Sequence, residues 1–196
     1  DGHLKTRNDV LHYYHINKIN KDTKSLVTLI NEETIKTRVS MKENIRKKIR
    51  DRFYRTPIEA EFDRYFAEKI VSKEIFSPFF MINDTIYIMD YINSKIRKYK
   101  YGKPLEEIAF SFHNNKTLKR EICFDQKTNK IYAIFKKSSF TELKEINLKN
   151  GRTSSNTIKI PFAYAEKIKV NNSYLYFLHK TLEESMTKKL SRIRIN

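Results

Sequence analysis

The hydrophobic positions of this chain fall into short runs that return at a fixed interval. "DTIYIMD" (84–90) holds Tyr87 among apolar neighbours, "NKIYAIFKK" (129–137) holds Tyr132, and "NSYLYFLHK" (172–180) holds Tyr176. The tyrosines lie 45 and 44 residues apart. Each run follows a turn containing Asn or Asp, residues that tolerate left-handed backbone. A strand-like run precedes each one: "PFFMI" (78–82), "KREICFD" (119–125) and "EKIKV" (166–170). An alternating run follows: "SKIRKYKY" (94–101), "TELKEINL" (141–148) and "KKLSRIRI" (188–195). Their inward residues are Ile96 and Tyr99, then Leu143, Ile146 and Leu148, then Leu190, Ile193 and Ile195. Period two with local slips is the signature of half-buried strands.

A fourth run closes the first two units, "LEEIAFSF" (105–112) and "NTIKIPF" (156–162), entered by turns at Gly102 and Gly151. The unit is therefore four short antiparallel strands per 44–45 residues, the period and strand count of a β-propeller blade. The expected fold is mainly β, a partial β-propeller of about three and a half four-stranded antiparallel blades with a two-helix insertion. Residues 1–196 read as one propeller or part of one, with blades at 76–113 and 117–162 and an incomplete blade at 164–196. Residues 8–31 read as a divergent blade. "NDVLHYYHINKINK" (8–21) aligns with the Tyr87 segment, His12 stands at the tyrosine position, and "SLVTLIN" (25–31) is the outer strand.

Between them, residues 41–70 carry helical signals. "SMKE" (40–43) is a capping box with Ser40 as N-cap, followed by Ile45, Ile49 and Phe53 at steps of four. "TPIE" (56–59) is a second box with Pro57 at the first helical position, and Phe62, Tyr65 and Phe66 continue it.

Composition changes this picture little. With 196 residues and 39% hydrophobic positions the chain has enough apolar material for a core. The formal charge is +17, which raises a polyanion partner. The excess is spread, however: 21 basic to 14 acidic residues up to position 100, and 19 to 9 beyond it. The densest cluster, "IRKKIRDRFYR" (45–55), is broken by Asp51. A generically basic, solvated surface is the simpler reading. The single Cys123 allows no intrachain disulfide, and its apolar strand makes it a buried thiol. No apolar run is long enough to span a membrane as a helix. The chain opens at Asp1 without an initiator Met, as a processed or trimmed chain does.

Chemistry-bearing patterns are sparse. Three glycines cannot build a phosphate loop, and no nucleophile elbow, H-E-x-x-H or CxxC occurs. The histidines have no metal-ligand spacing, and "DQKTN" (125–129) lacks the alternation, glycine and closing Glu of a calcium loop. No catalytic residue, cofactor or metal is assigned. The recurrent tyrosines read as packing residues, since a site rarely needs the same group from every blade. Loops carry variation on a constant frame. The candidate binding positions are therefore those after each Tyr strand, taken as equivalent: Asp90 and Tyr91, Lys136 and Lys137, His179 and Lys180.

The segments "PFFMINDTIYIMDYINSKIRKYKYG", "FDQKTNKIYAIF…LKEINLKNG" and "PFAYAEKIKVNNSYLYFLHK" resemble six-bladed β-propellers of the NHL and YWTD-like type. They are similar above all to uncharacterised envelope lipoproteins of gut bacteria. The resemblance implies a periplasmic or cell-envelope location and a rigid frame whose loops hold a ligand. Six such blades need roughly 270 residues, so the chain is expected to be the C-terminal part of a longer propeller, or to close its ring by self-association. "DGHLKTR" (1–7), with one apolar residue, is a poor strand to complete the last blade. The first functional expectation is a non-enzymatic binding module for a protein, peptide or glycan. The alternative is a propeller lyase or hydrolase that joins at least two of His113, His179, Asp90 and Glu166. Nucleic-acid binding through Arg46, Lys47, Lys48, Arg50, Arg52 and Arg55 ranks last.

Overall fold

A computed structural model describes residues 2–7, 10–16, 23–50, 56–65, 75–162, 164–180 and 187–195. Among these residues the fold is mainly β: four antiparallel sheets of three, four, three and four strands, with two α-helices. The chain divides into two compact units, residues 1–77 with 101–104, and residues 78–100 with 105–196.

The first unit holds β1 (Gly2–Arg7), β2 (Val10–Ile16) and β3 (Thr23–Ile30), in that order across one sheet. Residues 2–7 form a strand despite their polarity, because β1 pairs antiparallel with β2, Leu4 opposite His12. The 23–30 run is the edge strand on the other side and pairs directly with β2, placing Thr28 opposite His12. Leu11, Tyr13 and Leu29 are buried, and the Tyr13 hydroxyl donates to the Ser77 carbonyl.

Helix α1 (Glu32–Arg50) begins well before Ser40. Asn31 does the capping, with its Oδ1 accepting the Thr34 N–H at 3.1 Å, and Glu32 and Glu33 lie at the positive end of the helix dipole. The Ser40 box is thus a local pattern inside a helix already nucleated upstream. Helix α2 (Pro57–Tyr65) starts at Pro57, and Thr56 Oγ1 accepts the Glu59 N–H at 3.4 Å. Phe53 and Phe66–Ile70 lie outside the described residues.

The second unit is three meanders in succession. The first sheet contains β4 (Phe79–Ile82), β5 (Thr85–Asp90), β6 (Lys95–Lys100) and β7 (Lys103–Ala109). The second contains β8 (Leu118–Asp125), β9 (Lys130–Lys136), β10 (Thr141–Ile146) and β11 (Thr153–Ile160). The third contains β12 (Glu166–Asn171), β13 (Tyr174–Lys180) and β14 (Lys188–Arg194). Strands neighbour one another in sequence order throughout. Three of the hairpins turn on pairs with both residues left-handed, Asn83–Asp84, Tyr101–Gly102 and Asn172–Ser173. This is the type I′ geometry that fits the twist of paired strands.

The second sheet lies between the other two. Ile131, Ala133 and Phe135 of β9 pack with Met89, Ile96, Ile108 and Phe110 of the first sheet and its exit. Tyr132 and Ile134, on the opposite face of β9, pack with Ile168, Val170, Leu175 and Phe177 of the third. A strand covered on both sides shows no alternation, and β9 is buried from Ile131 to Phe135. Tyr87 joins the cluster facing the second sheet, and Tyr132 the cluster facing the third. Each of these two tyrosines thus addresses the sheet that follows its own. Leu190, expected inside, is 70% exposed. Its partner across the ladder is Leu178, and the flanking residues Leu175, Phe177 and Ile193 serve the face packed on the second sheet.

Backbone proximity also ties the sheets. Gly151 has φ +68°, and a Cβ there would collide with the Ala109 carbonyl oxygen at the end of β7. Asp125, at the end of β8, accepts the Lys127 N–H at 3.1 Å and the Ser173 N–H of the β12–β13 turn at 2.9 Å. Burial opposes its charge, but these bonds, with those from Thr128 and Asn172, hold the carboxyl below its ordinary range. Cys123 is buried, its Sγ donates to the Ile168 carbonyl at 3.4 Å, and burial pushes the thiol up to about 12.

Candidate functional site

The positions after the Tyr strands separate into two environments. Register fixes which positions correspond. Tyr87, Tyr132 and Tyr176 face Lys98, Glu145 and Arg192 across the ladder. Three residues on come Asp90, Phe135 and His179. Lys136 therefore matches Tyr91 and Lys180, and Lys137 lies one position beyond. The pairing read from the sequence slipped by one in the middle unit, where Phe135, not Lys136, stands at the position of Asp90 and His179.

Asp90 does not present itself to solvent. Its buried carboxylate accepts the Ile92 N–H (3.1 Å), the Asn93 N–H (3.0 Å), Asn93 Nδ2 (2.8 Å) and Arg97 Nε (3.0 Å). Arg97 also pairs with Glu107, which takes Lys95 Nζ at 2.6 Å. Burial disfavours the guanidinium charge, yet the Asp90 bond lifts its pKa above the ordinary value. The Lys95 bond holds the Glu107 carboxyl below its own. Tyr91 packs edge-on to Phe110, ring centroids 5.2 Å apart, and burial raises its hydroxyl pKa. His113 closes the cluster, with Nε2 3.0 Å from Ser94 Oγ. The arrangement organises a turn.

His179 and Lys180 stand at a cavity of about 430 Å³ whose walls include Pro161, Phe162, Tyr164 and Leu178. His179 is 6% exposed. It stacks on Phe162 at 3.8 Å, and its Nε2 lies 2.9 Å from Ser191 Oγ. Its Nδ1 is buried with no hydrogen-bond partner among the described residues. Tyr164 is 73% exposed, and Lys136 Nζ sits 5.2 Å from its ring centroid. Glu166 and Lys188 complete the lining and pair at 2.5 Å, which holds the Glu166 carboxyl below its ordinary range. Three of the six candidate positions, Lys136, His179 and Lys180, thus converge on one region. Asp90 and Tyr91 form a separate cluster, and Lys137 lies in the β9–β10 turn, its backbone N–H donating to the Phe140 carbonyl at 2.9 Å.

The residues that sequence reasoning missed here are Phe162 and Tyr164. Their signal was "PFAYAE", two aromatics in a connection between strands, which is costly to leave in water unless they pack or bind. The four groups of the enzyme alternative have separate partners. Asp90 holds Arg97, His113 meets Ser94, His179 meets Ser191 and Glu166 meets Lys188. Among the described residues no group of three or more His, Cys, Asp or Glu is placed to hold a metal. On α1, Lys48 pairs with Asp63 at 3.3 Å, while Arg52 and Arg55 lie outside the described residues. No helix among the described residues is long and apolar enough to cross a membrane. Compared with protein-family models and with curated proteins, the chain matched neither.

Proposed function

We propose that the three meanders of the second unit are successive blades of a β-propeller, and that the protein is a non-enzymatic binding module. The bacterial cell envelope is its proposed setting, on the resemblance of its repeats alone. The observation that carries the reading is a constant frame with a variable end. Tyr87 and Tyr132 occupy one register position and each packs toward the following sheet. Three residues later the same position is Asp90, then Phe135, then His179. The frame conserves geometry while the strand end changes chemistry, and at β13 that end opens into a cavity. The face bearing Tyr176 would meet a next blade, from the same polypeptide or a second copy.

The test pairs binding with turnover. The intact chain is screened on peptide and glycan arrays, alone and as the Lys136→Glu, Lys180→Glu double variant. The same proteins are assayed against ester, glycoside and peptide substrates. Array binding lost in the variant, without turnover in either protein, is expected. Turnover abolished by the same two substitutions would make the protein an enzyme.

A further inference from the structure

We infer that the cavity at the end of β13 takes a carboxylate-bearing sugar ring, a uronic-acid unit of a glycan. This rests on the binding-module reading and names the ligand class for its face. The first observation is charge. Lys180 and Lys188 stand directly opposite one another on β13 and β14. Like charges in that arrangement repel at close range. One carboxylate, Glu166, serves both, and its 2.5 Å pair is with Lys188. Lys180 is left without an ion-pair partner among the described residues, and Lys136 adds a further cation beside Tyr164. Among the described residues of the mouth, Lys180 and Lys188 therefore stand against the single carboxylate of Glu166, and a ligand carboxylate would meet Lys180 by a charge-assisted bond.

The second observation is the shape of the hydrogen-bonding surface. Lys188 occupies Glu166 Oε2, and Glu166 Oε1 has no hydrogen bond among the described residues. Glu166 lines the cavity, and that oxygen would accept from a ligand hydroxyl. An amino group would instead compete with Lys188 for the same carboxylate, so a zwitterionic amino acid or peptide end gains less. The third observation is the wall. Tyr164 offers an exposed ring, and Phe162 is held flat by His179, itself fixed through Ser191. A preorganised aromatic surface loses little freedom on binding, and it complements the C–H face of a pyranose. The volume of about 430 Å³ lies in the range of small-ligand sites. A planar aromatic acid would use the wall and Lys180 but leave Glu166 Oε1 without a donor.

The full chain is titrated by NMR with D-glucuronate, D-glucose and benzoate, and with the Lys180→Ala and Tyr164→Ala variants, whose thermal unfolding reports whether they fold. Glucuronate is expected to bind with a Kd of about 1 mM, with glucose and benzoate at least about tenfold weaker. Each folded variant should lose about tenfold in glucuronate affinity. Glucose binding as tightly as glucuronate, benzoate binding more tightly, or an unchanged Kd in Lys180→Ala overturns the inference. Should glucuronate fail while an array peptide or neutral glycan binds and is lost in Tyr164→Ala, the sugar-acid assignment falls and the binding face survives. If no array ligand responds to either variant, both fall.

Discussion

The ends of β5 and β13 begin from the same register position and finish as opposites. At β5, Asp90 collects four hydrogen-bond donors and draws Arg97, Glu107 and Lys95 into a closed network. At β13, His179 is clamped by Phe162 and Ser191, and beside it Lys180 faces Lys188 with one carboxylate between them. One end satisfies its charges internally, and the other, among the described residues, leaves Lys180 without an ion pair. A repeat therefore fixes where a residue stands, and its neighbours decide whether it builds the protein or binds with it.

The sharpest way to break that comparison is at Asp90. Replacing it with Ala leaves the Arg97 guanidinium with Glu107 alone and two turn N–H groups without their acceptor, and should cost about 3 kcal/mol, read from the urea midpoint. A loss below about 1 kcal/mol would mean the turn closes without its carboxylate. Gly151→Ala comes next, at about 2 kcal/mol, because left-handed backbone and the Ala109 carbonyl both oppose a Cβ. Asp125→Asn should cost about 1 kcal/mol and flatten the acid limb of the stability curve. The folded Asp125 carboxyl titrates below its ordinary value. Its contribution is thus complete above an unfolded pKa of about 3.9 and fades as pH falls through the lower, folded one. An acid limb identical in the variant would remove Asp125 from that role. The smallest effect is expected at Lys180→Ala, which relieves the opposed lysines and should leave stability within about 0.5 kcal/mol or raise it slightly. A marked loss there would mean Lys180 is part of the frame, and the contrast between the two ends would disappear.

The strands of the second unit were legible because period-two runs and Asn- or Asp-bearing turns recur together; Asn83–Asp84 and Asn172–Ser173 adopt the left-handed pairs their composition suggests. Strand β1 was not, since its pairing with β2 is a backbone matter that one apolar residue in "DGHLKTR" does not announce. The start of α1 was misread because Ser40 and Glu43 form a valid box in the wrong place, while Asn31 sat nearer the true end. At the candidate site, His179 and Lys180 followed from the repeat. Phe162 and Tyr164 did not: Phe162 was read as the end of the fourth run, which stops at Ile160, and Tyr164 comes from a connection that the period leaves undefined. Asp90 was located correctly in sequence and misjudged in kind, since its four donors are visible only once the turn is closed.

The Asp125–Ser173 bond also bears on how the second unit comes together in time. The carboxylate belongs to the second sheet and the N–H to a hairpin that the chain reaches 48 residues later. Until that hairpin docks, Asp125 has only its local partners, the Lys127 N–H and the Thr128 side chain, and water takes the place of the Ser173 N–H at its other oxygen. Contacts of long sequence separation form late and reward the chain only after loop closure. The bond therefore acts as a latch closed by the arrival of the third sheet, at the same step that brings Ile168 and Val170 onto Tyr132 and Ile134.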